Sequence, residues 1–309
     1  MESTRKRLLL AANLAILALI LYWVSEHISL GELRERAKDL PPEGLLGALV
    51  LNLAVLGVYG LRLSLLLGTR RLPALATVII GFGMNGVLPF RLGEVAKLGY
   101  ARQLFGIAAP RLIAATAAEK LMDLCALLLL GFTASQLVVA PYLDRGIAIA
   151  SALAGILVTG LALAFLSLAI WERAGRKTHN WITDAFDTLR AQRSLSSIAQ
   201  LALLTAAIWA ITVASVYWMF SSVFPQFSLA NACVLTLVLA LAIAIPSAPA
   251  GLGVVEAAIV AYLHQALQAE PNQALASALA FHVIVVVPQV LTTAAILFGA
   301  IFRRHRLKG

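Results

Sequence analysis

Residues 74–94 read ALATVIIGFGMNGVLPFRLGE, and residues 229–253 read LANACVLTLVLALAIAIPSAPAGLG. The first stretch is apolar from Ala74 to Leu88 and then breaks at Pro89 and Gly93. Its fifteen apolar residues make a helix of about 22 Å, short of a hydrocarbon core of roughly 30 Å. The second limb, Leu229 to Ile245, stops in the same way at Pro246, Pro249, Gly251 and Gly253, and a further limb follows from Val254 to Leu267. Two short, Pro/Gly-interrupted apolar segments in corresponding halves of a chain read either as the discontinuous helices at the binding site of an inverted-repeat transporter or as ordinary Pro-kinked spans, and the first reading is favoured. Backbone freed inside a membrane is tolerated only where it is buried in protein or lines a wet cavity.

The rest of the chain has the composition such a fold requires. Of 309 residues, 61% are hydrophobic and 13% charged, against about 45–50% and about 25% in soluble domains. The mean hydropathy is +0.90. Apolar runs at Leu8 to Ser25, Gly44 to Leu67, Leu112 to Val139, Gly146 to Ile170, Ile198 to Phe220 and Ala274 to Phe302 are long enough to cross a membrane. The first follows Arg5-Lys6-Arg7 without a small-x-small cleavage site, which predicts a retained span rather than a signal peptide. The expected fold is an all-α, polytopic membrane protein of about six full spans plus two oppositely oriented re-entrant hairpins, about 74–111 and 229–272. That arrangement would make the two halves an inverted repeat within one domain, 1–309.

The net charge of +9 would suggest nucleic acid in a soluble protein, but here the basic residues gather at the ends of apolar runs and set topology. The N-terminus, the Arg70-Arg71 turn, the connector 171–197 and the C-terminus are rich in Lys/Arg, which predicts that both termini are cytoplasmic. The connector places Trp181, Ile182, Ala185, Phe186 and Leu189 at helical spacing, as in an interfacial amphipathic helix. Arg62 stands one or two turns before the basic turn and reads as a snorkelling anchor.

Six charges in or beside apolar sequence need another explanation, since each costs at least about 2.5–3.5 kcal/mol at mid-bilayer. Arg91, Glu94 and Lys97 stand at i, i+3 and i+6 and alternate in sign along one helical side; Glu119 and Asp123 at i, i+4 face the same way, and Lys120 is placed to pair with Asp123. Glu256 follows Gly251-x-Gly253 at an expected helix start, where a carboxylate is favoured by the dipole. Helix starts after Gly93 and Gly253 would present N–H donors to a phosphate. These groups read either as an ion-pair lock on the hairpin or as a cavity for a lipid headgroup carrying both signs of charge.

Other chemistry is not signalled. There is no GxxxxGK[ST], HExxH or GxSxG motif, so nucleotide-driven pumping and the familiar hydrolases are excluded. Cys125 and Cys233 read as free thiols, and His264 and His282 as isolated helix histidines. Glu119 and Asp123 could hold a divalent cation, but Lys120 beside them argues against it. No cofactor, metal or catalytic residue is expected.

The segments Leu88-Pro89-x-Arg91-x-Gly93-Glu94-x-x-Lys97, Ala114-x-x-x-x-Glu119-Lys120-x-x-Asp123 and Pro246-Ser247-x-Pro249-x-Gly251-x-Gly253-x-x-Glu256 together resemble the lysylphosphatidylglycerol synthase transmembrane-region family. The resemblance runs from about Gly60 to the last span. Lys97 and Lys120 stand where Arg is commoner in that family, and His282 lies near where the final span often carries Arg. The resemblance implies movement of lipid headgroups between leaflets of a bacterial inner membrane. The cargo would be an anionic or zwitterionic phospholipid or a polyprenyl-linked lipid, and the partners a second copy or a lipid-synthesis enzyme. The synthase domain found in the best-known members is expected to be missing from a chain ending at Gly309. A lipid-modifying enzyme using Glu119 and Asp123 as acid and base, and an assembly subunit, are the alternative expectations.

Overall fold

The computed structural model describes residues 30–138, 194–245 and 248–306. The expected spans over Leu8 to Ser25 and Gly146 to Ile170, residues 171–193 of the amphipathic connector, and the break residues Pro246 and Ser247 lie outside the described residues. All regular structure among the described residues is helical.

A short helix, α1 (Leu30–Lys38), leads into α2 (Pro42–Leu67), which starts on Pro42 where a missing N–H costs nothing. It ends at Gly68, whose φ of 55° lets the chain turn left-handed while Gly68 and Thr69 donate to the carbonyls of Leu65 and Ser64. At 26 residues α2 is about 39 Å long, more than a hydrocarbon core. Its most extensive partner is α6 (Leu195–Val223), begun by a Ser194 hydroxyl that accepts from the Ser197 N–H. Small residues bring the two helices close: a Cβ on Gly44 or Gly47 would overlap Ser222 or Trp218. Asn52 donates to Ala48 O at 2.8 Å and to Ser215 Oγ at 2.7 Å, a polar stitch across this seam.

Two segments built alike follow these long helices, one after α2 and one after α6. In the first, α3 (Arg71–Val87) stops at an extended Leu88, a tight turn Pro89–Arg91 follows, and α4 (Gly93–Phe105) packs back on α3. In the second, α7 (Leu229–Ala244) is followed by the tight turn Pro249–Gly251 and α8 (Val254–Leu267), which packs on α7. Each turn has a non-glycine residue in the left-handed region at its second position, Phe90 at φ 57° and Ala250 at φ 59°. The two turns touch each other, and the second also touches α3. α5 (Ala109–Val138) packs on α2, α4, α6 and α7, and α9 (Pro271–Arg306), with Pro288 inside it, packs on α3 and α8.

Four runs are long and apolar enough to cross a membrane, Pro42–Leu67, Leu195–Val223, Pro249–Leu267 and Pro271–Ala300, so the chain is a multi-pass membrane protein. The third includes the Pro249–Gly251 turn, and its regular helix, 14 residues or about 21 Å, is shorter than a full crossing. α3 and α7 are short as well, at 17 and 16 residues. The buried apolar residues form two clusters. Leu63, Leu67, Val78, Leu112 and their neighbours surround the first turned segment, and Phe220, Leu235, Ile259, Leu263 and Phe281 surround the second.

Candidate functional site

The charged residues meet on the inner side of the first turned segment. Arg62 of α2 is fully buried, at 0% exposure, so the snorkelling reading is corrected. Its guanidinium forks onto the carboxylate of Asp123 on α5, with Nη1 to Oδ1 at 2.7 Å and Nη2 to Oδ2 at 3.1 Å. Nη1 also donates to Thr205 Oγ1 of α6 at 3.2 Å, and the guanidinium carbon lies 5.0 Å from the Tyr59 ring centroid. A bidentate carboxylate fits the planar fork and satisfies a cation that would otherwise be very costly here. Asp123 is thus taken by Arg62, and Lys120, expected to pair with it, is exposed on the next side of α5.

Glu119, one turn before Asp123, is 3.6 Å from Arg62 Nε, inside ion-pair range but beyond a hydrogen bond. Its Oε1 is buried without a hydrogen-bond partner. On α4, Lys97 Nζ lies 2.8 Å from Glu94 Oε2, the i, i+3 pair expected from the sequence. Lys97 is buried along its stem against Gly81 of α3, where a Cβ would meet the Lys97 chain at 2.8 Å. Gly93 allows this approach of α4 to α3, because a Cβ there would meet Asn85 Oδ1 and Gly81 O at 2.5 Å.

These groups line one cavity. Arg62, Lys97 and Lys120 line it together with Glu94, Glu119 and Asp123, and Tyr59, Val78, Gly81 and Phe82 complete the wall. The space between these side chains, open solvent at its mouth included, is about 340 Å³. Arg91 does not line it; it is exposed in the adjoining turn, at φ 57°. Among the described residues, no cluster of His, Cys, Asp and Glu is placed to hold a metal ion. Cys125 and Cys233 are both free thiols.

Glu256 stands apart from this cavity. As the third residue of α8 it accepts from the Gly253 N–H at 2.6 Å through Oε2, and its Oε1 lies 2.5 Å from Nδ1 of His282 on α9. Gly253 has φ 86°, so the glycine serves the backbone while the carboxylate three residues on closes the helix end. His264 is held more locally, with Nδ1 3.1 Å from Ala269 O.

Residues 10–292 match the lysylphosphatidylglycerol synthase TM region family. The chain belongs to that family. The match covers every charged residue of the cavity and both turned segments, so the ion pairs and helix breaks described above are features of a family member's membrane region. No curated protein matches the chain.

Arg62, which lines the cavity, and Thr205, which accepts from its guanidinium, are groups whose roles sequence reasoning missed. The signal for Arg62 was its cost: a cation within an apolar run needs a partner unless it reaches the interface.

Proposed function

We propose that this protein is a lipid translocase, a flippase or scramblase, in which a headgroup crosses through the charged cavity while the acyl chains stay in the bilayer beside α3 and α4. The observation that carries this reading is three cations and three carboxylates around one space inside a bundle of apolar helices. A lock alone would use its charges up in pairs. Here Glu119 Oε1 is buried and without a hydrogen bond, and Lys120 is exposed at the cavity. Lys97 and Lys120 supply charge for a phosphate, with Arg91 beside the entrance, and Glu94 and Glu119 receive an amine or hydroxyl. Arg62 and Asp123 hold each other and position the wall. A phospholipid, anionic or zwitterionic, or a polyprenyl-linked lipid presents such a headgroup.

In this reading the turned segments are re-entrant hairpins of opposite orientation meeting near the midplane. Both termini face the cytoplasm of a bacterial cell, and the chain acts as one domain without chemistry on the lipid. The driving force is the lipid gradient or an ion gradient. The test is purified protein in vesicles containing a fluorescent phospholipid, with the outer leaflet quenched. Protein-dependent loss of the protected signal is expected, together with unchanged lipid masses. A protected signal that persists overturns translocation, and a new lipid mass would mark the enzyme reading instead.

A further inference from the structure

Glu256 and His282 are buried, at 5% and 8% exposure, and join two elements that the sequence places apart, the start of α8 and the middle of α9. The cavity does not use them. We propose that this pair is a proton-binding site through which headgroup movement is coupled to proton movement. The inference rests on the translocase reading above.

Glu256 Oε1 and His282 Nδ1 lie 2.5 Å apart, an ion-pair contact when the imidazole is protonated, and neither atom has a hydrogen-bond partner elsewhere. With Glu256 ionised, the pair then has two states: imidazole holding one proton, net charge −1, and imidazolium holding two, net charge 0. A buried change from −1 to 0 is costly to leave without response, and among the described residues the elements packed on the pair supply little charge to absorb it. Neither α6 nor α7 carries an Asp, Glu, Lys, Arg or His. α3 has Arg71 at its far end, Arg62 of α2 is committed to Asp123, and Arg36 of α1 meets Glu270 near the start of α9. Glu43 begins α2, and Lys38 of α1 pairs with Glu35. Cys233, Tyr59, Tyr217, Tyr262 and His264 are further titratable side chains on the described transmembrane elements packed here, and Arg303, Arg304, His305 and Arg306 stand at the far end of α9 in the sequence.

The pair is also connected to the cavity. Glu256 Oε2 holds the Gly253 N–H and so fixes the end of the second turn. That turn touches both the first turn and α3. The first turn leads directly into Glu94 and Lys97. In the doubly protonated state an imidazolium–carboxylate pair clamps α8 to α9. In the singly protonated state the clamp is weaker and the second turn is freer to move against the first. Proton occupancy and headgroup access are then linked, and the linkage is reciprocal.

The test uses full-length protein in two measurements. Spin labels are attached at Leu92→Cys and Leu252→Cys, exposed positions beside the two turns, with Cys125 and Cys233 replaced by Ala. The distance between them is read from pH 5 to 8 in wild-type, His282→Gln and His282→Arg backgrounds. Gln keeps an N–H donor for Glu256, and Arg keeps a permanent positive charge. A pH-dependent distance in wild type, lost in both variants, is expected. The second measurement imposes a two-unit pH gradient on vesicles containing fluorescent phospholipid. Coupling of one proton per lipid supports leaflet asymmetry approaching about 100-fold in wild type and none in His282→Arg. A distance independent of pH in wild type, or still pH-dependent in His282→Arg, overturns the proton site. Lipid that moves without response to the gradient overturns the coupling and leaves the translocase reading standing. Lipid that does not move, with a distance still governed by His282, overturns the translocase reading and leaves the proton site standing.

Discussion

Arg62 and Asp123 are 61 residues apart in the chain and share one bidentate contact. Replacing Asp123 by Asn leaves the guanidinium buried without its counter-charge, a loss of about 3–5 kcal/mol. The expected outcome is a lower melting temperature and poor yield, and adding Arg62→Met to Asp123→Asn is expected to recover much of the loss. Glu94→Gln should behave differently. Its side chain is 36% exposed and its partner Lys97 can turn toward the cavity, so folded protein with lost lipid transport is expected. Measuring melting temperature and vesicle transport on both variants separates a wall-building carboxylate from a headgroup-binding one. The i, i+3 pairing of Glu94 and Lys97 was legible from spacing because both partners lie on one helix. The fate of Arg62 was not, because its partners come from α5 and α6 and nothing local specifies them.

Helix boundaries were legible where the chain carries its own punctuation. Val254–Leu267 was expected as it stands, and α2, α6 and α7 begin or end within a few residues of their expected limits. Pro42, Ser194, Ser228 and Gly68 mark those ends by capping and turning. The left-handed Phe90 and Ala250 were not legible, since neither residue type announces a positive φ. Ala250→Gly should relieve that backbone and raise stability by about 1 kcal/mol, read as a small increase in melting temperature. Gly93→Ala has the opposite sign. Its new methyl meets Asn85 and the Gly81 carbonyl, and a loss of about 1–3 kcal/mol is expected with α4 displaced from α3. Thermal unfolding in one detergent compares the two directly.

The two buried clusters surround separate turned segments, and contact between the turns joins them. Sequence reading anticipated two similar breaks because each repeats Pro and Gly after a short apolar limb. In a background lacking Cys125 and Cys233, Phe90→Cys and Ala250→Cys should cross-link in membranes, and the linked protein should no longer transport. Absence of the cross-link in a folded variant would remove the argument that the breaks meet. The contact of α3 with α9 was invisible beforehand. It depends on Gly83 and Gly86 facing Thr293 and Val290, with the Thr293 hydroxyl donating to Ile79 O at 2.8 Å. The length of α9 has a consequence at this scale. Its 36 residues extend about 54 Å, well beyond the roughly 30 Å hydrocarbon thickness, so it must tilt, bend at Pro288 or run out into the headgroup region. His282 and Thr293 lie on either side of Pro288 and are tied to the second and first turned segments respectively. A change in bilayer thickness that alters the tilt of α9 therefore pulls on both segments at once. Shorter or longer acyl chains become an input to the molecule, felt through one long rod.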